Sequence, residues 1–285
     1  MQRTDFRCFH RLRVRWAEVD MQKIVFNAHY LMYIDTAMMD YWRALALPYE
    51  ASMVALGGDI YVKKATLEYH ASAQLEDLLD IGLRCARVGN SSLLLQAGIF
   101  RGEQLLVSGE LVYVFADPAT QTSRPVPEAL RAIFAAYEAG DAMAHAHCGA
   151  WDALGPDAAR VRHAVFIQEQ GIPADIEVDE LDATAVHVVL RNRLGMPVAT
   201  GRLLQHAPGE GRIGRMAVER ALRGGGWGRQ VLRALEDAAR ARGDQRALLH
   251  AQVQARAFYE RAGYHIHGEP WMEAGIPHIT MQRAL

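Results

Sequence analysis

The sequence predicts an α+β chain folded in two consecutive halves, an antiparallel sheet around one helix and then a mixed α/β unit. Three observations carry that prediction. A length of 285 residues is long for one domain and suits two. Before residue 140, one wide stretch of period 3.6 is followed by four strand-like runs. After residue 150, helical and strand patterns alternate, and one strand runs through a glycine-rich loop into a helix.

Composition narrows the class. Hydrophobic residues make up 51% of the chain and charged residues 22%, which is enough for real cores and outside the disordered range. A net charge of −2 leaves no basic footprint, so neither nucleic acid nor an anionic membrane surface is an expected partner. No apolar run approaches the about 18 residues of a membrane span, and the first seven residues lack the apolar core of a signal peptide. Cys8, Cys85 and Cys148 are odd in number and far apart. Reduced thiols in the cytoplasm are expected, not a disulfide framework.

In the first half, residues 6 to 16 end in strict alternation, with Leu12, Val14 and Trp16 against Arg11, Arg13 and Arg15. That is a strand with one wet face. A polar turn over 18–23 leads into the apolar run Ile24, Val25, Phe26. From Tyr30 the period becomes helical, and Tyr30, Tyr33, Ile34, Ala37, Met38, Tyr41 and Leu45 form a wide stripe. Met32, Met39 and Trp42 extend the apolar character, so burial on most sides is expected. Strands follow over 60–69, 80–88, 92–100 and 104–115, with Gly89-Asn90 and Gly102-Glu103 as turns. Pro125 and Pro127 introduce a short helix over 128–139. One helix wrapped by an antiparallel sheet is the hot-dog architecture, which usually pairs two copies.

The segment from Arg15 to Tyr30, Arg-Trp-Ala-Glu-Val-Asp-Met-Gln-Lys-Ile-Val-Phe-Asn-Ala-His-Tyr, resembles the active-site segment of hot-dog acyl-CoA thioesterases of the 4-hydroxybenzoyl-CoA thioesterase type. The resemblance covers roughly residues 8 to 137 and includes the run from Val88 to Ser92. It implies that Asp20 is the catalytic carboxylate and that a backbone N–H near Asn27, at the helix start, polarises the thioester carbonyl. Thioester hydrolysis needs such a pair: a carboxylate as nucleophile or water-activating base, and a donor at the developing oxyanion. Two plainer roles stay open, a turn cap for Asp20 and local packing for His29. The family commonly has glycine where this chain has Lys23.

Residues 139–152 are rich in small residues and read as a linker between a domain over 1–138 and another over 153–285. His145, His147 and Cys148 lie close together there, but a fourth ligand and a zinc-type spacing are missing, so no metal site is expected. Residues 158–169 then read as helical, ended by Gly171 and Pro173. Strands are expected over 185–193, 197–205 and 211–218, a buried strand over 247–253, a short helix over 255–261 and a last strand over 278–283.

Between these lies the most informative stretch, Arg223-Gly-Gly-Gly-Trp-Gly-Arg-Gln, with four glycines in the five positions 224–228. A glycine loop that opens a helix points unpaired N–H groups and the positive dipole end at one spot, which suits a phosphate. Gly228 is followed by Arg229 and Gln230 instead of Lys-Ser/Thr, and the glycine spacing fits a dinucleotide motif poorly. Arg223, Gly226 and Gly228 do fit Arg-x-x-Gly-x-Gly, which resembles the pyrophosphate loop of the GNAT acyl-CoA N-acetyltransferases. The run from Gln254 to Tyr264 resembles that family's Ala-x-x-Phe-Tyr…Gly-Phe/Tyr segment.

By this resemblance, N–H groups along Gly224, Gly225, Gly226, Trp227, Gly228 and Arg229 bind the pyrophosphate of coenzyme A. Backbone at Met216, Ala217 and Val218 holds the pantetheine arm, and Tyr259 protonates the departing thiolate. A phenol with a pKa near 10 can give a proton to a thiolate as it forms; a packed aromatic is the plainer reading of Tyr259. Glu169, Asp175, Glu177, Asp179, Glu180 and Asp182 put six acids in fourteen residues, an acidic mouth for a cationic amine or a solvated loop. Arg160, His187, Arg202 and His278 are candidates to line the site, whereas His250, His265 and His267 read equally well as packing residues.

The expected protein is a two-domain acyl-CoA enzyme. It hydrolyses a thioester in its first half and transfers an acetyl or acyl group to a small-molecule or peptide amine in its second. The alternative keeps the transferase and makes the hot-dog half an oligomerisation or acyl-CoA-sensing module. Coenzyme A and acyl-CoA enter as substrates with no permanently bound cofactor, and a homo-oligomer through the first half is expected.

Overall fold

A computed structural model of the chain describes residues 1–273 and 275–285 and divides into two compact units, Met1–Met143 and Ala144–Leu285. In the first unit the strands are β1 (Cys8–Arg13), β2 (Asp59–Tyr69), β3 (Leu78–Val88), β4 (Ser92–Arg101) and β5 (Gln104–Ala116). They form one antiparallel sheet in the order β1-β3-β4-β5-β2. Helix α1 (Asn27–Ala44) is the central helix, followed by α2 (Tyr49–Leu56), and α3 (Glu128–Ala139) closes the unit.

The apolar stripe of α1 is buried, with Tyr30, Tyr33, Ile34, Ala37, Met38, Tyr41 and Trp42 inside. Three buried tyrosines on it end in hydrogen bonds, as buried hydroxyls must. Tyr33 donates to Glu18 at 2.8 Å, Tyr41 donates to Glu138 at 2.6 Å, and the Tyr30 hydroxyl accepts from the Ala73 amide at 2.9 Å. Two expectations need correction here. The helix begins at Asn27 and not Tyr30, because its first turn is largely exposed and carries no stripe. Met32 and Met39 face solvent, so α1 is not buried on most sides. The apolar run 24–26 makes isolated bridges, Ile24 with Gln74 and Val25 with Val19. Helix α2 shows almost no one-sided pattern and was not foreseen.

The second unit holds β6 (Ala144–Gly149), α4 (Trp151–Arg162), a π-helical turn (His163–Glu169), α5 (Ala174–Glu177), β7 (Val186–Asn192), β8 (Pro197–Ala207) and β9 (Glu210–Val218). After these come α6 (Trp227–Arg242), β10 (Arg246–Gln252), α7 (Arg256–Arg261), β11 (His265–Ile266), β12 (Trp271–Glu273) and β13 (Ile276–Ala284). The sheet order is β11-β13-β10-β9-β8-β7-β6, with β12 on β13. Among the described residues only β9 and β10 are parallel, and the other pairs are antiparallel.

The segment read as a linker therefore contains a strand. Edge strand β6 pairs with β7 from Ala144/Asn192 to Gly149/His187. Its middle is exposed, so it shows no apolar alternation to betray it. Helix α4 starts seven residues before the expected Ala158, in spite of Gly155 and Pro156. A Cβ at Gly155 would lie 2.8 Å from the Trp151 ring, so the helix breaker in the sequence is what lets the indole lie against its own helix.

Candidate functional sites

The second unit opens a cleft where its one parallel pair fails. Strands β9 and β10 pair from Glu210/Arg246 to Ile213/Leu249 and then part. The other edge of β9 shows the cause. Thr200 faces Ala217 and Arg202 faces Gly214, so Gly201 alone opposes both Arg215 and Met216. This bulge, with Arg215 at φ 50°, bends β9 away from its parallel neighbour. A cleft of about 300 Å³ results, lined by Met216, His250, Gln252, Tyr259 and His278 among others. The π-helical turn brings Gln170 to its rim, where Gln252 donates to Gln170 at 2.9 Å.

Tyr259 is a buried residue of α7, held edge-on by Phe258 (4.9 Å) and Tyr264 (6.0 Å). Among the described residues its hydroxyl has no hydrogen-bond partner, and burial alone pushes the phenol above its usual pKa. It therefore stays protonated at neutral pH. Tyr264, by contrast, spends its hydroxyl on Glu236 at 3.0 Å. His250 lies just past the last β9–β10 pair. Partial burial first, and the nearby Arg212 second, hold its imidazole below the usual value, so the ring is neutral near pH 7 and free to accept a proton. Sequence reasoning left it as a packing residue, because its role depends on where the two strands part.

The glycine loop sits at the start of α6. Gly224 and Gly226 take φ 88° and 86°, values that favour glycine. The Gly225 amide donates to Leu222 at 3.2 Å and the Arg229 amide to Gly226 at 3.1 Å. Among the described residues the amides of Gly224, Gly226 and Gly228 have no acceptor. The Trp227 side chain is buried, so this residue offers only backbone to the loop surface. Arg223 folds back, donating to Glu169 at 2.6 and 2.7 Å and to the Val218 carbonyl at 3.1 Å. Met216 faces the cleft, whereas Ala217 packs with Val161, Val165 and Phe166.

Gly228 is different from its neighbours. It sits in the first turn of α6 outside the left-handed region, and a Cβ there would find only Val218 at 3.4 Å and Phe258 at 3.6 Å. Packing against these neighbours does not require glycine. Gly228→Ala is expected to leave thermal stability equal or higher, by up to about 1 kcal/mol, while raising the KM for acyl-CoA about tenfold. An unchanged KM would remove the phosphate role from this position.

The acidic segment does not form the open acidic mouth considered from the sequence. Buried Arg162 bonds Glu177 and, at 2.8 and 3.0 Å, Asp182. Arg202 bonds Asp179 at 2.6 Å and Asp182 at 2.7 Å, and Arg215 bonds Asp179 at 3.1 Å. Burial pushes Asp182 up, but hydrogen bonds from Arg162 and Arg202 outweigh it and lower its pKa to about 2. Three arginines thus neutralise three of the six acids, and Arg223 takes a fourth, Glu169. His187 is buried and bonds the Asp182 carbonyl at 2.9 Å, a structural contact.

In the first unit, the loop before α1 is anchored by buried Glu18, which takes bonds from the Arg15 amide (2.8 Å), the Arg15 guanidinium and Tyr33. Burial raises the Glu18 carboxyl, but these bonds win and hold it below its usual range. Nothing in the sequence marked this residue. Asp20 accepts the Gln22 amide at 2.8 Å through one carboxylate oxygen, a turn-capping bond. It borders an open basin with Trp16, Ala17, Val19, Lys23, Gln74 and Leu75. Lys23 sits at φ 65°, a conformation that costs a non-glycine residue about 1 kcal/mol; this accounts for glycine at that place in the family it resembles. Asn27 is exposed at the first position of α1, and among the described residues its amide has no acceptor. Among the described residues no three His, Cys, Asp or Glu side chains are grouped to hold a metal ion.

These two sites sit in two recognisable domains. Residues 156–285 match the acetyltransferase (GNAT) domain family, and residues 14–134 match the thioesterase-like superfamily. The chain belongs to the GNAT acetyltransferases through its second half, and its first half is similar to the thioesterase-like superfamily. An uncharacterized N-acetyltransferase, YjcF, of Bacillus subtilis is 38% identical over 128 residues, which are 45% of this chain and 90% of that protein. The crystal structure of a putative N-acetyltransferase from Lactobacillus plantarum is 36% identical, covering 50% of this chain and 99% of that one, with a TM-score of 0.48. A probable thioesterase from Escherichia coli, YbaW, is 24% identical over 45% of this chain and 96% of that one, with a TM-score of 0.40.

Proposed function

We propose that the second half transfers an acetyl or acyl group from coenzyme A to an amine, and that the first half hydrolyses an acyl-CoA thioester. One observation carries the transferase reading: an unpartnered, protonated phenol and a neutral imidazole, Tyr259 and His250, line one cleft. The amine attacks the thioester carbonyl while His250 takes its proton. As the tetrahedral intermediate collapses, the C–S bond breaks and Tyr259 protonates the thiolate. The unpaired amides of Gly224, Gly226 and Gly228 suit the pyrophosphate, and Phe258, which flanks Gly228, precedes Tyr259 directly. Backbone at Met216 to Val218 takes the pantetheine arm.

For the first half, Asp20 acts as base or nucleophile and the free amide at Asn27 receives the oxyanion. The exposed faces of Trp16, Met21 and Phe26 around Asp20, and the long exposed edge strand β2, favour a homo-oligomer that covers them. The second reading, a non-catalytic hot-dog half, draws on one specific contact: the Asp20 carboxylate already caps its own turn.

Free-thiol release from a panel of acyl-CoAs, with and without amines, separates these readings. Amine-independent release should fall at least 100-fold in Asp20→Asn and persist in Tyr259→Phe. If no acyl-CoA releases thiol without an amine, the hydrolase reading is lost and the hot-dog half serves assembly or sensing.

A further inference from the structure

The cleft that holds Tyr259 and His250 carries more charge than the transfer reaction uses. Its wall includes Glu177, Asp179, Arg202, Arg212, Arg215 and Glu273. Four of these are spoken for: Glu177 by Arg162, and Asp179 by Arg202 and Arg215. Two are not. Among the described residues, the half-buried Arg212 has no carboxylate or carbonyl partner, and the exposed Glu273 has no cation within ion-pair distance. One free cation and one free anion therefore flank a single small cleft.

Their placement follows from strand register. Arg212 pairs with Leu248 across the parallel ladder, so Arg212, Leu248 and His250 share a sheet face. Glu273 ends β12, paired with Ile276 beyond the same edge of the sheet. His250 feels both charges, Arg212 lowering its pKa and Glu273 raising it, after the larger effect of burial. The imidazole thus lies within electrostatic reach of both. A third unsatisfied group belongs to the same wall. Arg202 is buried, and its Nε is the one buried side-chain polar atom without a hydrogen-bond partner among the described residues. A buried donor left unpaired is costly unless a ligand or water completes it.

We propose that the acceptor is a small zwitterion, an amine whose molecule also bears a carboxylate or phosphate, with the anionic group on Arg212 and the ammonium end directed to His250 by Glu273. This rests on the N-acetyltransferase reading and names its acceptor class. A guanidinium pairs with either anion through two parallel hydrogen bonds. The volume of about 300 Å³ lies at the lower end of ligand pockets and suits an amino-acid-sized molecule. A polycationic acceptor would meet Arg212 unfavourably.

The test compares matched acceptors in the full-length protein with acetyl-CoA: an α-amino acid, its decarboxylated amine, an aminoalkyl phosphate and a linear polyamine. The zwitterions should exceed their uncharged-tail counterparts in kcat/KM by about 10- to 100-fold. Carboxylate and phosphate arms show which anion is read. Arg212→Gln should bring that ratio close to one, mainly through a higher KM for the zwitterions, and Arg212→Lys should restore part of it. Glu273→Gln, an exposed change with little bearing on folding, should weaken all ammonium-bearing acceptors alike. Polyamines preferred by the wild type, or an undiminished ratio in Arg212→Gln, would overturn the proposal. Failure of every acceptor class to raise thiol release above the acceptor-free rate would instead defeat the transferase reading beneath it.

Discussion

Tyr259→Phe is expected to lower kcat for amine-dependent thiol release about 100-fold, the low end of general acid catalysis, with KM for acyl-CoA changed only a few-fold. The reason is a specific imbalance in the structure. The ring is held by Phe258 and Tyr264, and phenylalanine keeps both contacts. The hydroxyl bonds nothing among the described residues, so its removal leaves no partner stranded and stability should stay within about 0.5 kcal/mol. Tyr264 cannot substitute, because its hydroxyl belongs to Glu236. The pH dependence follows from the two directions of shift. Tyr259 is raised above its ordinary value and remains a donor throughout the neutral range, while lowered His250 becomes a base below the ordinary imidazole value near 6.5. Activity should therefore rise on an acid limb below pH 6.5, and His250→Gln should remove that limb. An unchanged rate in Tyr259→Phe means that another group protonates the thiolate.

The largest stability effect is expected at Arg162. Replacing it with methionine, close in volume, should destabilise the second unit by about 3–5 kcal/mol, because it leaves a buried charge uncompensated. Asp182 would retain Arg202 at 2.7 Å, but Glu177 would be left with only Arg215, at 4.0 Å. The expected shift in midpoint is roughly 10 °C, from about 2–4 °C per kcal/mol for a unit of this size. Thermal unfolding of the full chain, with hydrogen exchange at β7 to β10, checks it. The double change Arg162→Met with Glu177→Gln should recover part of the loss by removing the orphaned charge. A loss under about 1 kcal/mol would mean that solvent reaches the network. The network also sets an acid limit. Asp182 has a folded pKa of about 2 against a reference of 3.8, so its stabilising effect is complete above the reference value and disappears as pH falls from about 4 to about 2.

Much of this molecule was legible because its strands and helices carry the periodicity of their surroundings. The meander over β2 to β5 alternates or runs apolar and is bounded by turn residues, and its limits lie within two residues of expectation. The stripe from Tyr30 to Leu45 marked the central helix. Elements with weak patterns were lost: β6 has an exposed middle, α2 is largely exposed with almost no one-sided pattern, and α4 begins through a glycine and a proline. For β6 the stabilising partner, β7, is remote in sequence, and local pattern carries no trace of it.

The sites divide along the same line. By itself the sequence determined the glycine loop opening α6, which depends on residue type and short spacing, and carried the resemblances to two families that single out Asp20 and Tyr259. Tertiary structure decided which charges are available. Six acids in fourteen residues became a largely neutralised network once Arg162, Arg202, Arg215 and Arg223 were brought in from other elements. His250 became a cleft residue only because a bulge at Arg215 bends β9 away from β10. Arg212 and Glu273 stand out for the same reason. Whether a charge is paired depends on what lies within a few ångströms across the fold, and a linear sequence does not record that distance.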